Sequence, residues 1–89
     1  MFIMGTNRWD IEIPKDMLVE QALNFADDVK SKGIAELRDF YLAHDQKLLW
    51  CTWETDDPEG LEAAFSEMNI QSGLISELTA VEDMYPKTG

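Results

Sequence analysis

The chain has 89 residues, with 18 acidic side chains against 7 basic ones and a formal net charge of −11. A chain of this length forms one domain, so we expect a single domain over residues 1–89. The charge argues against nucleic acid and anionic membranes as partners, because phosphate groups bind to Lys and Arg. A single cysteine excludes an internal disulfide, and no apolar run has the length of a membrane span. We therefore expect a cytoplasmic protein.

The first two predicted elements are a strand and a helix. Residues 2–9, FIMGTNRW, alternate as a strand does, with Ile3, Gly5 and Asn7 on one face. Residues 15–31, KDMLVEQALNFADDVKS, place apolar side chains at helical spacing and stop before Gly33. The apolar stripe of this helix is therefore expected to lie in the core.

The next stretch is predicted to be a β-hairpin, because AELRDFYLA and LLWCTWE are rich in aromatic and branched residues. A turn at Asp45–Gln46, or a longer loop around it, sets the register of the ladder. On one face this register pairs Leu42 with Leu49, Phe40 with Cys51 and Arg38 with Trp53. On the other face it pairs Tyr41 with Trp50, Asp39 with Thr52 and Leu37 with Glu54.

The last two predicted elements are a helix and a strand. Asp57 is a good N-cap, and Pro58 and Glu59 suit the first helical turn. This helix is expected to end near Asn69, and residues 74–84 are predicted to form a strand, with residues 85–89 as a flexible tail. The order β-α-β-β-α-β predicts an α+β, ferredoxin-like fold: a four-stranded antiparallel sheet with both helices on one face.

The hairpin and the helix start resemble a small ferredoxin-like family of the dimeric α/β-barrel group. Its members carry an S-Y-V-x-x-D-G hairpin, a C-x-Y-E strand and a D-P-E helix start. This chain has Tyr41-Leu42 with Asp45-Gln46, then Cys51-Thr52-Trp53-Glu54, then Asp57-Pro58-Glu59. The resemblance implies a homodimer whose sheets face each other. The family includes proteins described as nickel-binding, although this chain has Ala64 where members commonly have His.

The candidate ligand site is the predicted sheet face turned away from the helices. On this face the rings of Tyr41 and Trp50 would be exposed to solvent unless a second subunit or a ligand covers them. Together with hydroxyl and carboxylate groups they are typical of a small-molecule pocket. The candidate ligand-binding residues are Asp39, Tyr41, Trp50, Thr52 and Glu54. Glu54 is expected to be half-buried at the mouth of such a pocket.

The remaining candidates are the only histidine and the only cysteine. His44 beside the turn is the candidate metal ligand, but a nickel or zinc site usually takes several nitrogen or sulfur ligands. We therefore interpret His44 first as a turn residue. Cys51 is predicted to lie in a strand interior, where a thiol behaves as a small hydrophobic group rather than a nucleophile.

Three functions remain open at this point. The first is a homodimer that encloses a small apolar or aromatic ligand, has no cofactor and catalyses no reaction. The second is a cofactor-independent isomerase or monooxygenase in which Glu54 or Asp39 acts as the base. The third is a protein that binds nickel or another divalent metal.

Overall fold

A computed structural model describes residues 1–84. Residues 85–89, predicted above to be a flexible tail, lie outside the described residues. The strands are β1 (Phe2–Arg8), β2 (Glu36–Ala43), β3 (Leu48–Glu54) and β4 (Ile75–Val81), and the helices are α1 (Lys15–Ser31) and α2 (Pro58–Ser72). The β-α-β-β-α-β order predicted from the sequence is confirmed.

The four strands form one antiparallel sheet in the order β2-β3-β1-β4. The residues of β1 and β3 that face the helices are buried, whereas the alternate residues are half-buried or exposed. Together with the two helices, this arrangement is the ferredoxin-like fold. The helices leave the other face of the sheet uncovered within residues 1–84, and that face is called the open face below.

The core lies between the sheet and the two helices. Trp53 of β3 packs edge-to-face against Phe25 of α1 and Phe65 of α2, with ring centroids 5.7 and 5.8 Å away. The two phenylalanine rings are themselves 4.7 Å apart. Edge-to-face pairs contribute about 0.5–1.5 kcal/mol each beyond the area that they bury. This aromatic cluster therefore joins both helices to the centre of the sheet.

The predicted hairpin register is confirmed for most of the ladder. Leu42 pairs with Leu49, Phe40 with Cys51, Tyr41 with Trp50 and Asp39 with Thr52. The loop is longer than two residues, because His44–Gln46 form a 3₁₀ turn and Lys47 follows in the left-handed region at φ 55°. The observed loop, residues 44–47, extends the predicted turn by one residue at each end. Each residue of this part of the ladder therefore keeps its predicted partner.

Two predicted pairs, Arg38–Trp53 and Leu37–Glu54, are wrong. A β-bulge lies between Leu37 and Asp39, so that Leu37 pairs with Trp53 and Glu36 pairs with Glu54. A bulge adds one residue to one strand and reverses the side-chain alternation beyond it. Arg38 therefore does not face Trp53.

The start of α2 is as predicted, but its end is not. The Asp57 side chain accepts a hydrogen bond from the Gly60 amide at 3.0 Å, and Pro58 occupies the first turn. The helix continues past Asn69 to Ser72 and stops at Gly73, which takes the left-handed conformation at φ 77°. Glycine adopts that conformation without strain, so Gly73 is a better stop than Asn69.

Candidate functional site: the open sheet face

The open face brings Tyr41 and Trp50 together, as predicted. They are opposite one another on β2 and β3, and the Tyr41 side chain is 61% exposed. Trp50 is half-buried. Across β1, the next residue in the same row is Thr6, followed by Glu77 of β4. Met4 is 38% exposed and Ile75 is 44% exposed on the same face. The face thus combines several exposed or half-buried apolar side chains with polar and charged ones.

A groove of about 300 Å³ crosses one end of the open face. The residues that line it come from all four strands and from the two positions after β4: Phe2, Arg38, Asp39, Thr52, Val81, Glu82 and Asp83. The Thr52 hydroxyl donates a hydrogen bond of 2.8 Å to the Asp39 carboxylate, which fixes both side chains at the groove. Of the predicted site residues, Asp39 and Thr52 line this groove, and Tyr41 and Trp50 occupy the next row of the sheet.

Glu54 belongs to the exposed residues of the single chain, whereas a half-buried side chain was expected. Its side chain is 50% exposed, and its carboxylate accepts a hydrogen bond from the Arg38 guanidinium at 3.0 Å. Glu54 borders a different surface cleft, beside Thr55, Asp56 and the loop before β2. The argument that burial would make Glu54 a general base is therefore lost, since the side chain is both hydrated and paired with a cation.

His44 secures the hairpin to the rest of the chain. Its Nε2 atom donates to the carbonyl oxygen of Ile13 at 2.7 Å, and its ring lies 6.4 Å from that of Trp9. The side chain is half-buried. Within residues 1–84, no group of three or more His, Cys, Asp and Glu side chains is placed to hold a metal ion. These contacts indicate that His44 holds the turn in position.

Cys51 is buried under the sheet, as predicted, and is surrounded by hydrogen-bond donors. Its sulfur accepts from Trp53 Nε1 at 3.0 Å and from Asn7 Nδ2 at 3.6 Å. Burial raises the pKa of the Cys51 thiol, and the hydrogen bonds from Trp53 and Asn7 lower that pKa in part. A nucleophilic cysteine needs a depressed pKa and an open approach. Cys51 has neither, which agrees with a structural role.

Sequence reasoning missed the residues at the β1–β4 side of the groove. Phe2 and Val81 are partners across the β1–β4 ladder, and Glu82 and Asp83 follow directly. The hairpin register alone could not reveal them, because they join the site only once β1 lies between β3 and β4. The alternation of Phe2 with Ile3 in β1 was the one available signal, since it places Phe2 on the open face.

Comparison of the sequence with protein-family models and with curated proteins finds no match. No helix among residues 1–84 is long and apolar enough to cross a membrane.

Proposed function

We propose that this chain is a homodimeric protein of the dimeric α/β-barrel type that binds a small ligand between two facing sheets. The observation that carries the proposal is the pair of aromatic side chains on the open face, exposed Tyr41 beside half-buried Trp50. A solvated sheet face normally carries polar residues. Large aromatic side chains grouped on such a face are characteristic of an interface or a ligand site.

A second copy of the chain suits the dimensions of this face. Four strands of seven or eight residues cover about 19 Å by about 24 Å, or roughly 450 Å² in projection. Protruding side chains increase the accessible area beyond that figure. A biological interface buries more than about 500 Å² per partner. Pairing two open faces reaches that value only when the protruding side chains are included, so the whole face would be needed, and the short chain would gain a larger core.

The groove gives the proposed ligand its chemical class. Phe2 and Val81 offer apolar contacts, the Thr52 hydroxyl and the Asp39 carboxylate offer polar ones, and the remaining lining residues, Arg38, Glu82 and Asp83, are charged. Ligand sites commonly combine apolar contacts with fixed polar groups. A small aromatic molecule with a hydrogen-bonding group could use the apolar contacts and the polar groups of this lining together. The alternative in which a carboxylate acts as a base depends on Asp39, since Glu54 is exposed and paired with Arg38.

Sedimentation equilibrium tests the homodimer. Wild-type protein at micromolar concentration is expected to sediment as an assembly, and Trp50→Asp is expected to halve its mass, because a desolvated charge in the interface costs several kcal/mol. Met17→Asp is the matched control, since Met17 is a 52% exposed apolar residue on α1. A wild-type monomer, or equal loss of mass in both variants, would refute the homodimer.

Equilibrium dialysis with 2-naphthol, a small aromatic molecule with one hydroxyl group, tests the ligand. The dimer is expected to take up the probe in a saturable manner, and Thr52→Val is expected to weaken uptake at least several-fold without changing the sedimenting mass. Ser66→Val on α2 serves as the control, because Ser66 lies outside the groove. Uptake that does not saturate in a confirmed dimer would leave the homodimer standing and remove the proposed ligand.

A further inference from the structure

An inner cavity lies between the sheet and the two helices, on the opposite side of the sheet from the groove. Its volume is about 30 Å³. Leu18 and Ala22 of α1, Leu49 of β3, and Phe65 and Met68 of α2 are among the residues that line it. A water molecule needs about 10–15 Å³ of such space. The inner cavity therefore has room for a molecule of about two heavy atoms.

Three aromatic rings hold the walls of the inner cavity in place. Phe25, Trp53 and Phe65 all line it, and each ring packs edge-to-face against the other two. Closing the space would require these rings to leave that arrangement. Protein interiors are otherwise close-packed, and atoms that line a void lack the dispersion contacts of a neighbour. A small apolar molecule would supply those contacts without displacing a side chain.

The polar groups at the wall of the inner cavity already have hydrogen-bond partners. The Asn7 amide donates to the Leu49 carbonyl at 3.2 Å and to the Cys51 sulfur at 3.6 Å, and its oxygen accepts from the Ser76 hydroxyl. Trp53 Nε1 donates to the same sulfur at 3.0 Å. Among residues 1–84, no buried side-chain nitrogen or oxygen atom lacks a partner. A buried water typically needs about three polar partners, so the inner cavity favours an apolar occupant over water.

We propose that the inner cavity is a binding site for a small uncharged apolar molecule of the size of ethane. Within the part of the chain that the structure describes, no charged side chain lines the cavity, and burying an unpaired ion is costly. Gln21 of α1 is the exposed member of the lining, which puts the entrance beside it. The site goes beyond the proposed function, because the inner cavity and the groove share no lining residue. The two proposals can therefore fail separately.

Methyl NMR under a pressure of ethane tests the site. Ethane is expected to shift the methyl resonances of Leu18, Leu49 and Leu74, which line the inner cavity, in a saturable manner. Val29 and Leu61 are the matched reference, because they are fully buried but do not line it. Equal shifts in both groups, or no shift in the first group, would overturn the proposal.

Methylammonium tests the chemical class of the ligand, since it has the size of ethane and carries a positive charge. At the same concentration it is expected to leave the resonances of the lining methyl groups in place. Shifts as large as those caused by ethane would overturn the apolar assignment. Cross-relaxation between water and the lining methyl groups would show that the inner cavity holds water, and it would overturn the assignment equally.

Ala22→Val tests the location. The two added methyl groups would occupy the inner cavity, and the ethane-induced shifts are expected to fall at least several-fold. Ala63→Val is the matched control, because Ala63 is an exposed residue of α2 outside the lining and the substitution has the same cost in helix propensity. Undiminished shifts in Ala22→Val would overturn the proposal. The wild-type comparison of lining and reference methyl groups decides the matter if Ala22→Val does not fold.

Discussion

The Arg38 guanidinium lies 3.0 Å from the Glu54 carboxylate because the bulge in β2 turns Arg38 away from the helices. The same bulge sets Glu36 directly opposite Glu54 in the ladder. Two carboxylates at such a position repel each other. Arg38 brings a cation to this pair of acids, so the bulge has an electrostatic consequence as well as a geometric one.

The Arg38–Glu54 pair should contribute little to stability. Both side chains are about half-exposed, and exposed ion pairs typically contribute about 0.2–1 kcal/mol. A double-mutant cycle with Arg38→Gln and Glu54→Gln is expected to give a coupling energy in that range in urea unfolding. The coupling should shrink when salt is added, because salt screens exposed charges. A coupling well above this range, or one that salt leaves unchanged, would show that the pair is more buried than described.

The fold was predictable from the sequence because each element carries a local signal that agrees with the others. Asp57-Pro58-Glu59 predicts the start of α2, and the composition of the hairpin predicts β2 and β3. The bulge at Leu37–Asp39 was not predictable, because a bulge is favoured by tertiary fit and has no local motif here. A single extra residue then reversed the orientation of Arg38 and changed the environment expected for Glu54.

The candidate site was predictable only where it depends on the hairpin. Tyr41 with Trp50 and Asp39 with Thr52 follow from the register, which the loop length preserved. Phe2 and Val81 reach the groove through the β3-β1-β4 order, and strand order depends on long-range packing rather than on sequence spacing. The contact of His44 with the Ile13 carbonyl could not be predicted either, since it joins two residues that are 31 positions apart in the sequence.

Gly5→Ala should destabilise the protein through one close contact. A Cβ atom at Gly5 would lie 2.9 Å from the Cys51 sulfur and 3.3 Å from a Leu78 methyl group. Overpacking a close-packed core costs about 1–3 kcal/mol. We expect Gly5→Ala to lower the free energy of unfolding in urea by that amount. In a Cys51→Ala background the loss should be smaller, because the sulfur is gone. Strictly additive losses would contradict this explanation.

His44→Ala should loosen the hairpin by removing its hydrogen bond to the Ile13 carbonyl. A hydrogen bond of this kind contributes about 0.5–1.5 kcal/mol, and the loss is expected in that range by urea unfolding. Asp45→Ala in the same turn is the control, because Asp45 is exposed. If both substitutions have the same effect, the stability comes from the turn itself and not from the His44 contact.

The stability of the protein should fall in alkaline solution because of Cys51. Burial raises the pKa of its thiol above the ordinary value of 9.0, and hydrogen bonds from Trp53 and Asn7 reduce that rise only in part. In the unfolded chain the thiol has its ordinary pKa. The folded protein therefore holds the proton more tightly than the unfolded chain does.

The sign of the pH dependence follows from this difference. Below pH 9 both states keep the proton, and the contribution of the thiol to stability is fully present. As the pH rises past 9, the unfolded chain loses its proton first, so the free energy of unfolding declines until the folded thiol also ionises. The slope contributed by one group cannot exceed about 1.4 kcal/mol per pH unit.

Cys51→Ser is the matched control, because a serine hydroxyl can still accept hydrogen bonds from Trp53 and Asn7 but does not ionise in this range. Urea unfolding between pH 8 and pH 11, read as the difference between wild type and Cys51→Ser, subtracts the titration of the other groups. We expect that difference to be flat below pH 9 and to move against the wild type above it. Parallel curves across the whole range would mean that the thiol is as easily ionised in the folded protein as in the unfolded chain.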